Sequence, residues 1–326
     1  MFGIYLHIPF CRRRCKYCDF ITYAGKDEFM PDYYAALISE LRYQAHHLQN
    51  LPQKVDTIFF GGGTPSVMKA EWIRSLVDCI RSEYGLAEDS EITLEANPGT
   101  LSPGYLDNLL EAGVNRLSIG VQSFAKPELA LLGRIHSPSQ AVDAIESARK
   151  AGFANLSLDL MFGIPGQNLA SWQANLEKAI ELKLEHLSLY SLILEPGTQL
   201  FDDVQAGRLQ PASEDLSAEM YEFAMDALGQ EGFSHYEISN WAKGEFFESR
   251  HNKIYWKNQP YLGVGAGAHS SLNGLRVANS PSIEEYIQRI SKSNSEDEGI
   301  FPAAEETLKL DTYTMQQETM MLGMRL

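Results

Sequence analysis

The chain has 326 residues, with 27 Lys and Arg against 43 Asp and Glu, so its formal net charge is −16. With 44% hydrophobic and 10% aromatic residues it can build a large core and is too apolar for a disordered chain. A balance this acidic, with no long basic block, argues against general affinity for nucleic acid or anionic lipid. The start, MFGIYLHIPF, has neither a basic leader nor a small-residue cleavage site. No apolar run approaches the ~20 residues of a membrane span. The expectation is a soluble, cytosolic protein.

In chain order, short aliphatic runs read as strands at Gly3–Ile8, Val55–Phe60, Glu91–Glu95, Arg116–Val121, Asn155–Met161 and His186–Leu192. Helical spacing falls between them, as in Leu37, Leu41, Ala45, Leu48 and in Trp72, Leu76, Ile80. Ser102-Pro103 and Ser137-Pro138 are start signals, and Ala112-Gly113 and Ala151-Gly152 are stop signals. Six strand–helix units predict a parallel sheet with right-handed crossovers, as an open partial barrel or a doubly wound sheet. Either architecture collects its chemistry on the loops at the carboxyl ends of the strands. A further amphipathic helix is expected at Asp215–Glu231. Beyond it, His235–Arg276 lacks a clear strand–helix repeat, and Ser291–Gly299 reads as an acidic linker or surface loop. The domain reading is therefore 1–234 for the barrel and 235–326 for a C-terminal region. That region ends on an apolar stripe, Met320, Met321, Leu322, Met324 and Leu326, with no stop signal, as if docked or cut short.

Three of the four cysteines, Cys11, Cys15 and Cys18, lie directly after the first strand with C-x₃-C-x₂-C spacing. A reducing compartment and odd parity disfavour a disulfide. Three thiolates can hold three corners of a cubane and leave one iron open. His7 could instead complete a Cys₃His zinc site. Arg12, Arg13, Arg14 and Lys16 form the densest basic patch, which would favour thiolate and offset a cluster's charge, or be a solvated loop. Cys79 reads as a small core or edge residue, and His46-His47 as surface residues.

Other unusual residues fall at strand ends. Gly61-Gly62-Gly63-Thr64-Pro65 lets a ligand approach the backbone, although it is neither a dinucleotide nor a Walker loop. Glu95 ends the third strand, Gln122 the fourth, and Asp159 lies near the end of the fifth, with Arg134 in the LLGRIH segment. Asp159 is costly to bury in LSLDLMF without a partner.

The cysteine spacing, with Tyr17 just before Cys18, resembles the signature of the radical S-adenosylmethionine (SAM) superfamily. That resemblance implies a partial (β/α)₆ barrel of TIM type and a [4Fe–4S] cluster whose fourth iron binds SAM. The reduced cluster then breaks a carbon–sulfur bond to give a 5′-deoxyadenosyl radical. Together, Tyr5, CRRRCKYC, GGGTPS, LEANPG, GVQSF, GRIH and DLMFGIPGQ resemble the subgroup of oxygen-independent coproporphyrinogen III oxidases and HemW-like haem chaperones. By that resemblance Tyr5, Gly62, Gly63, Thr64 and Glu95 contact the cluster-bound SAM. Gln122, Arg134 and Asp159 match positions that contact a second SAM in the oxidases.

Two features favour the chaperone branch. Where the oxidases carry a further cysteine two residues after the third ligand, this chain has Phe20. It also has the chaperone motif H-N-x-x-Y-W as His251-Asn252-Lys253-Ile254-Tyr255-Trp256. His251 is the expected axial ligand of haem, with a cysteine or His269 as alternatives. The resemblance implies haem as cargo, client haem proteins that include membrane respiratory enzymes, and a low-potential electron donor, and leaves a homodimer open. It places the protein in the cytoplasm, with a peripheral position at the inner face of the membrane left open. It also implies a further small helical domain beyond Leu326. The competing expectation is an enzyme, oxidatively decarboxylating coproporphyrinogen III.

Overall fold

A computed structural model describes residues 1–48, 54–293 and 300–326. The expected strands form as β1 (Gly3–Ile8), β2 (Val55–Gly62), β3 (Leu86–Ala96), β4 (Arg116–Gln122), β5 (Leu156–Phe162) and β6 (His186–Ser191). Each pairs with the next in parallel. Helices α1 (Met30–His47), α2 (Ala70–Tyr84), α3 (Pro103–Glu111), α4 (Lys126–Leu132), α5 (Pro138–Ala151), α6 (Leu169–Glu181), α7 (Gln199–Gln205) and α8 (Glu214–Gln230) fill the connections or follow β6.

Strand alternation explains the architecture. Ile4, Leu6 and Ile8, Ile58 and Phe60, Leu117 and Ile119, Leu156, Leu158 and Leu160 form fully buried apolar rows. Removing each such side chain from water is worth ~1.5–3 kcal/mol. The intervening positions carry Tyr5, His7, Thr57, Glu95, Ser118, Ser157, Asp159 and His186, a polar face that meets itself across the strands. Thus Ser118 donates to Asp159 at 2.9 Å and Ser157 meets His186 at 2.7 Å. Local signals end the helices as expected. Ser137 and Gln140 form a capping box on α5, and Gly152 closes it in the left-handed region at φ 114°.

Residues after 234 extend this sheet at both edges. β7 (Ser234–Glu237) and β8 (Asn240–Ala242) add antiparallel strands beside β6. Helix α9 (Arg250–Trp256) leads to β9 (Tyr261–Val264), which lies parallel to β1 on its free side. β10 (His269–Leu272), β11 (Leu275–Asn279) and β12 (Ala304–Lys309) then continue antiparallel, with α10 (Ile283–Lys292) between the last two. The described residues therefore form one open twelve-stranded sheet in the order β12-β11-β10-β9-β1-β2-β3-β4-β5-β6-β8-β7, plus a two-stranded pair of Phe10–Cys11 with Tyr23–Ala24. The boundary expected at residue 234 falls inside that continuous sheet. Residues 294–299 of the expected acidic loop lie outside the described residues.

Helix α11 (Thr312–Gly323) carries the terminal apolar stripe. Arg325 caps the ring of Trp256 at 4.3 Å, and Asn258 donates to Thr319 at 2.9 Å. Met320, Met321, Met324 and Leu326 face outward. No helix among the described residues is long and apolar enough to cross a membrane.

Candidate functional site

The carboxyl ends of the strands surround a cavity of about 410 Å³. Its wall brings together Cys11, Cys15, Tyr17, Cys18, Gly62, Gly63, Thr64, Glu95, Gln122, Arg134 and Asp159, residues scattered over 149 positions of the sequence from 11 to 159. All four cysteines are free thiols. Cys11 is buried, 3.5 Å from the Thr64 hydroxyl; Cys15 accepts from Arg134 Nη1 at 3.4 Å; Cys18 lies 3.9 Å from the Thr22 hydroxyl.

The loop that carries them is clamped from two sides. Lys16 N donates to the Leu132 carbonyl at the end of α4 at 3.0 Å, and Leu200 N in α7 donates to the Lys16 carbonyl at 2.8 Å. The arginine patch behaves differently from expectation. Arg12, Arg13 and Arg14 are exposed, and burial outweighs them at the thiols, pushing Cys11 up to about 11 and Cys18 upward. A thiol held this way must lose its proton on binding metal.

The glycines are required by close packing. Gly62 sits at φ 107°, and a Cβ there would lie 2.5 Å from the His7 ring. At Gly63 a Cβ would lie 2.7 Å from the Phe10 carbonyl oxygen. Gly62 N donates to Glu95 Oε2 at 3.2 Å. Burial, with the Asp159 charge added, pushes Glu95 up to about 8; burial also raises Asp159, whose charge Ser118 and Ser188 stabilise. Gln122 takes φ 71°, a left-handed conformation uncommon outside glycine. Arg134 also donates to Asn97 Oδ1 at 2.8 Å and to the Gly120 carbonyl, and its buried Nε has no partner.

These groups fit an iron–sulfur cluster and SAM. Three thiols line one wall, the Gly62-Gly63-Thr64 stretch borders the same cavity without side-chain bulk at its glycines, and the carboxyl groups of Glu95 and Asp159 face it. The zinc alternative does not fit. His7 Nδ1 meets the Tyr5 hydroxyl at 3.0 Å and Nε2 meets the Ile21 carbonyl at 2.8 Å, leaving no free nitrogen. Among the described residues no three His, Cys, Asp or Glu side chains converge on a single-ion site.

Tyr5 does not belong to the cavity wall; it packs beneath it, its ring 6.1 Å from that of Phe59. His251 also departs from expectation. It enters the interior at the opposite, amino end of the strands, beside Gly3 and Thr57. Its Nδ1 meets Thr57 Oγ1 at 2.7 Å and its Nε2 the Tyr255 hydroxyl at 2.9 Å. The ring is 1% exposed, and burial lowers its pKa to about 3. Glu91 accepts from the backbone N–H groups of Arg250 and His251, fixing the start of α9. A histidine so held presents no nitrogen to haem iron, so here it plugs the barrel floor. His269 is exposed on β10 and outside the cavity wall.

Several cavity residues went unread in the sequence: Asn97, Ser118, Met161, Tyr190 and Ile193. Ser118 shares strand parity with Gly120, as Tyr190 does with Ser188, so period-two reading marks those two. Ile193 follows β6 in a loop and carries no such signal.

Comparison with known proteins agrees with this geometry. Residues 5–179 match the radical SAM superfamily, and the chain belongs to it. Within it, the chain is 39% identical over 321 residues to the heme chaperone HemW of Lactococcus lactis, covering 98% of this chain and 80% of that protein. It is 41% identical over 327 residues to the heme chaperone HemW of Bacillus subtilis, covering 100% and 83%. Coproporphyrinogen III oxidase (HemN) from Escherichia coli, described as a radical SAM enzyme, superposes with a TM-score of 0.86 at 23% identity, over 99% of this chain and 75% of that one. The last likeness speaks to the fold.

Proposed function

We propose that this chain is a haem chaperone of radical SAM fold, which binds a [4Fe–4S] cluster, SAM and haem and passes haem to client haem proteins. The observation that carries the reading is the 39–41% identity to heme chaperones along essentially the whole chain. Cys11, Cys15 and Cys18 would hold the cluster. Gly62, Gly63, Thr64 and Glu95 would receive SAM, with Tyr5 supporting that floor from below. Gln122, Arg134 and Asp159 complete the wall. When bound, such a cluster supplies a low-potential electron and an iron open to SAM.

The chain's own groups prepare that site. Burial raises both Glu95 and Asp159, and the positive charges of SAM would favour their ionised forms. Gly62 N holds Glu95 in place, and Arg134 anchors the Cys15 corner. Phe20 occupies the position at which, by resemblance, the oxidases have another cysteine. The oxidase reading has the shared fold and the shared barrel motifs in its favour.

The test is anaerobic reconstitution followed by iron and sulfide analysis and a haem titration. The proposal expects about four irons and four sulfides per chain, lost in Cys11→Ala, Cys15→Ala and Cys18→Ala, together with saturable haem binding. Zinc without sulfide, or no haem binding, would end it.

A further inference from the structure

If haem is the cargo, the buried His251 leaves its place unassigned, and the mouth of the cavity has the chemistry to receive it. Phe20, on the cysteine loop, is 63% exposed, and Ile193, on the loop after β6, is 68% exposed. Single exposed apolar residues are ordinary on any surface. These two, however, border one cavity from separate elements, and Tyr190, 41% exposed, lies on the same wall. The same rim carries Arg13 and Arg14, exposed cations in a chain of net charge −16. Asp19 and Glu195 also border the cavity, so the rim offers both signs, with its guanidinium groups on the cysteine loop.

From this juxtaposition of apolar arms and paired guanidinium groups, we propose that the cavity mouth is the haem-docking site. Phe20 and Ile193 would cover the macrocycle, and Arg13 and Arg14 would receive its propionates. The inference rests on the chaperone reading above and adds the place and the recognition chemistry. A planar, apolar ring with two carboxylates at one edge matches that division. The interior below the rim holds Glu95 and Asp159, which suit a cationic ligand, so the two ligands would divide the cavity by charge. None of the cavity-lining residues is a histidine. Attachment through faces and propionates, without a strong axial nitrogen, suits a carrier that must release its cargo.

The experiment titrates haem into the anaerobically reconstituted full chain, following the Soret band. The variants are Arg13→Glu with Arg14→Glu, Phe20→Ser with Ile193→Ser, His269→Ala and His251→Gln. Iron and sulfide content and circular dichroism verify each preparation, and the titration is repeated on cluster-free protein. Protoporphyrin IX and its dimethyl ester are compared as probes. Both rim double variants should weaken haem binding at least about tenfold, and the ester should bind at least about tenfold more weakly than the free acid. His269→Ala and His251→Gln should stay within about twofold of the parent. Rim variants that bind like the parent, an ester that binds as well as the acid, or loss of binding confined to a histidine variant would overturn the docking site and leave the chaperone reading standing. A parent chain that binds no haem would overturn both.

Discussion

Glu40 offers a test of the packing that joins the two ends of the chain. It lies on α1 and is fully buried. Its carboxylate accepts from Tyr286 Oη at 2.6 Å, Asn279 Nδ2 at 2.8 Å, Gly265 N at 2.9 Å and Gln44 Nε2 at 3.1 Å. Three of these donors come from the region after residue 260, so one carboxylate ties that region to the first helix. Burial nevertheless wins over the four donors and raises Glu40 from 4.5 to about 7. The folded state therefore holds this proton more tightly than the unfolded state. The associated stabilisation is present below about pH 4.5 and is lost as pH rises through about 7. At 1.36 kcal/mol per unit, the linked loss between pH 5 and pH 8 is about 2–3 kcal/mol. Glu40→Gln removes the titration. In urea unfolding across that range, the stability of the parent minus that of Glu40→Gln should fall by about this amount. Parallel profiles, agreeing within about 0.5 kcal/mol at every pH, would refute the assignment.

Further expectations follow from the site and its supports. Gly62→Ala places a Cβ 2.5 Å from His7 at a positive φ; it should cost at least about 1–3 kcal/mol and weaken SAM binding, and an unchanged melting temperature with unchanged SAM affinity would contradict the cradle. Glu128 accepts from Ser123, Gln167, Ser171 and Asn175 behind the Gln122 turn. Glu128→Ala strands those donors and should lower stability by about 2–4 kcal/mol, read in a denaturant titration; a loss under about 1 kcal/mol would show the network to be dispensable. His251→Ala empties the barrel floor and unpairs Thr57 and Tyr255. It should destabilise by about 2–4 kcal/mol with iron and sulfide loading retained, whereas wild-type stability with lost haem binding would return His251 to the role of ligand.

The parallel strands were legible because each bears a continuous aliphatic row on its helix-facing side. Their starts and ends moved little, except that β3 begins already at Leu86. The second half was not legible for physical reasons. Its strands are short, rich in Gly, Asn and Ser, and find their partners far away, as Gly3 does with Tyr261. No local period announces such pairing. The cavity wall was readable wherever unusual residues end a strand, as at Gly62, Glu95 and Asp159. The placement of His251 was not legible because its environment comes from distant residues, Thr57 and Glu91, which make an aromatic-flanked histidine a buried floor residue. The basic patch was seen in the sequence, but the meeting of Phe20 and Ile193 at one cavity exists only after folding.

The central claim is carriage of haem without porphyrinogen chemistry. Reconstituted protein is incubated anaerobically with reductant, SAM and coproporphyrinogen III, while a matched sample is given haem and then an apo-haem protein. Saturable haem binding, transfer to the acceptor and no decarboxylated porphyrinogen are expected. Steady formation of the decarboxylated product, with no haem held or transferred, would contradict it.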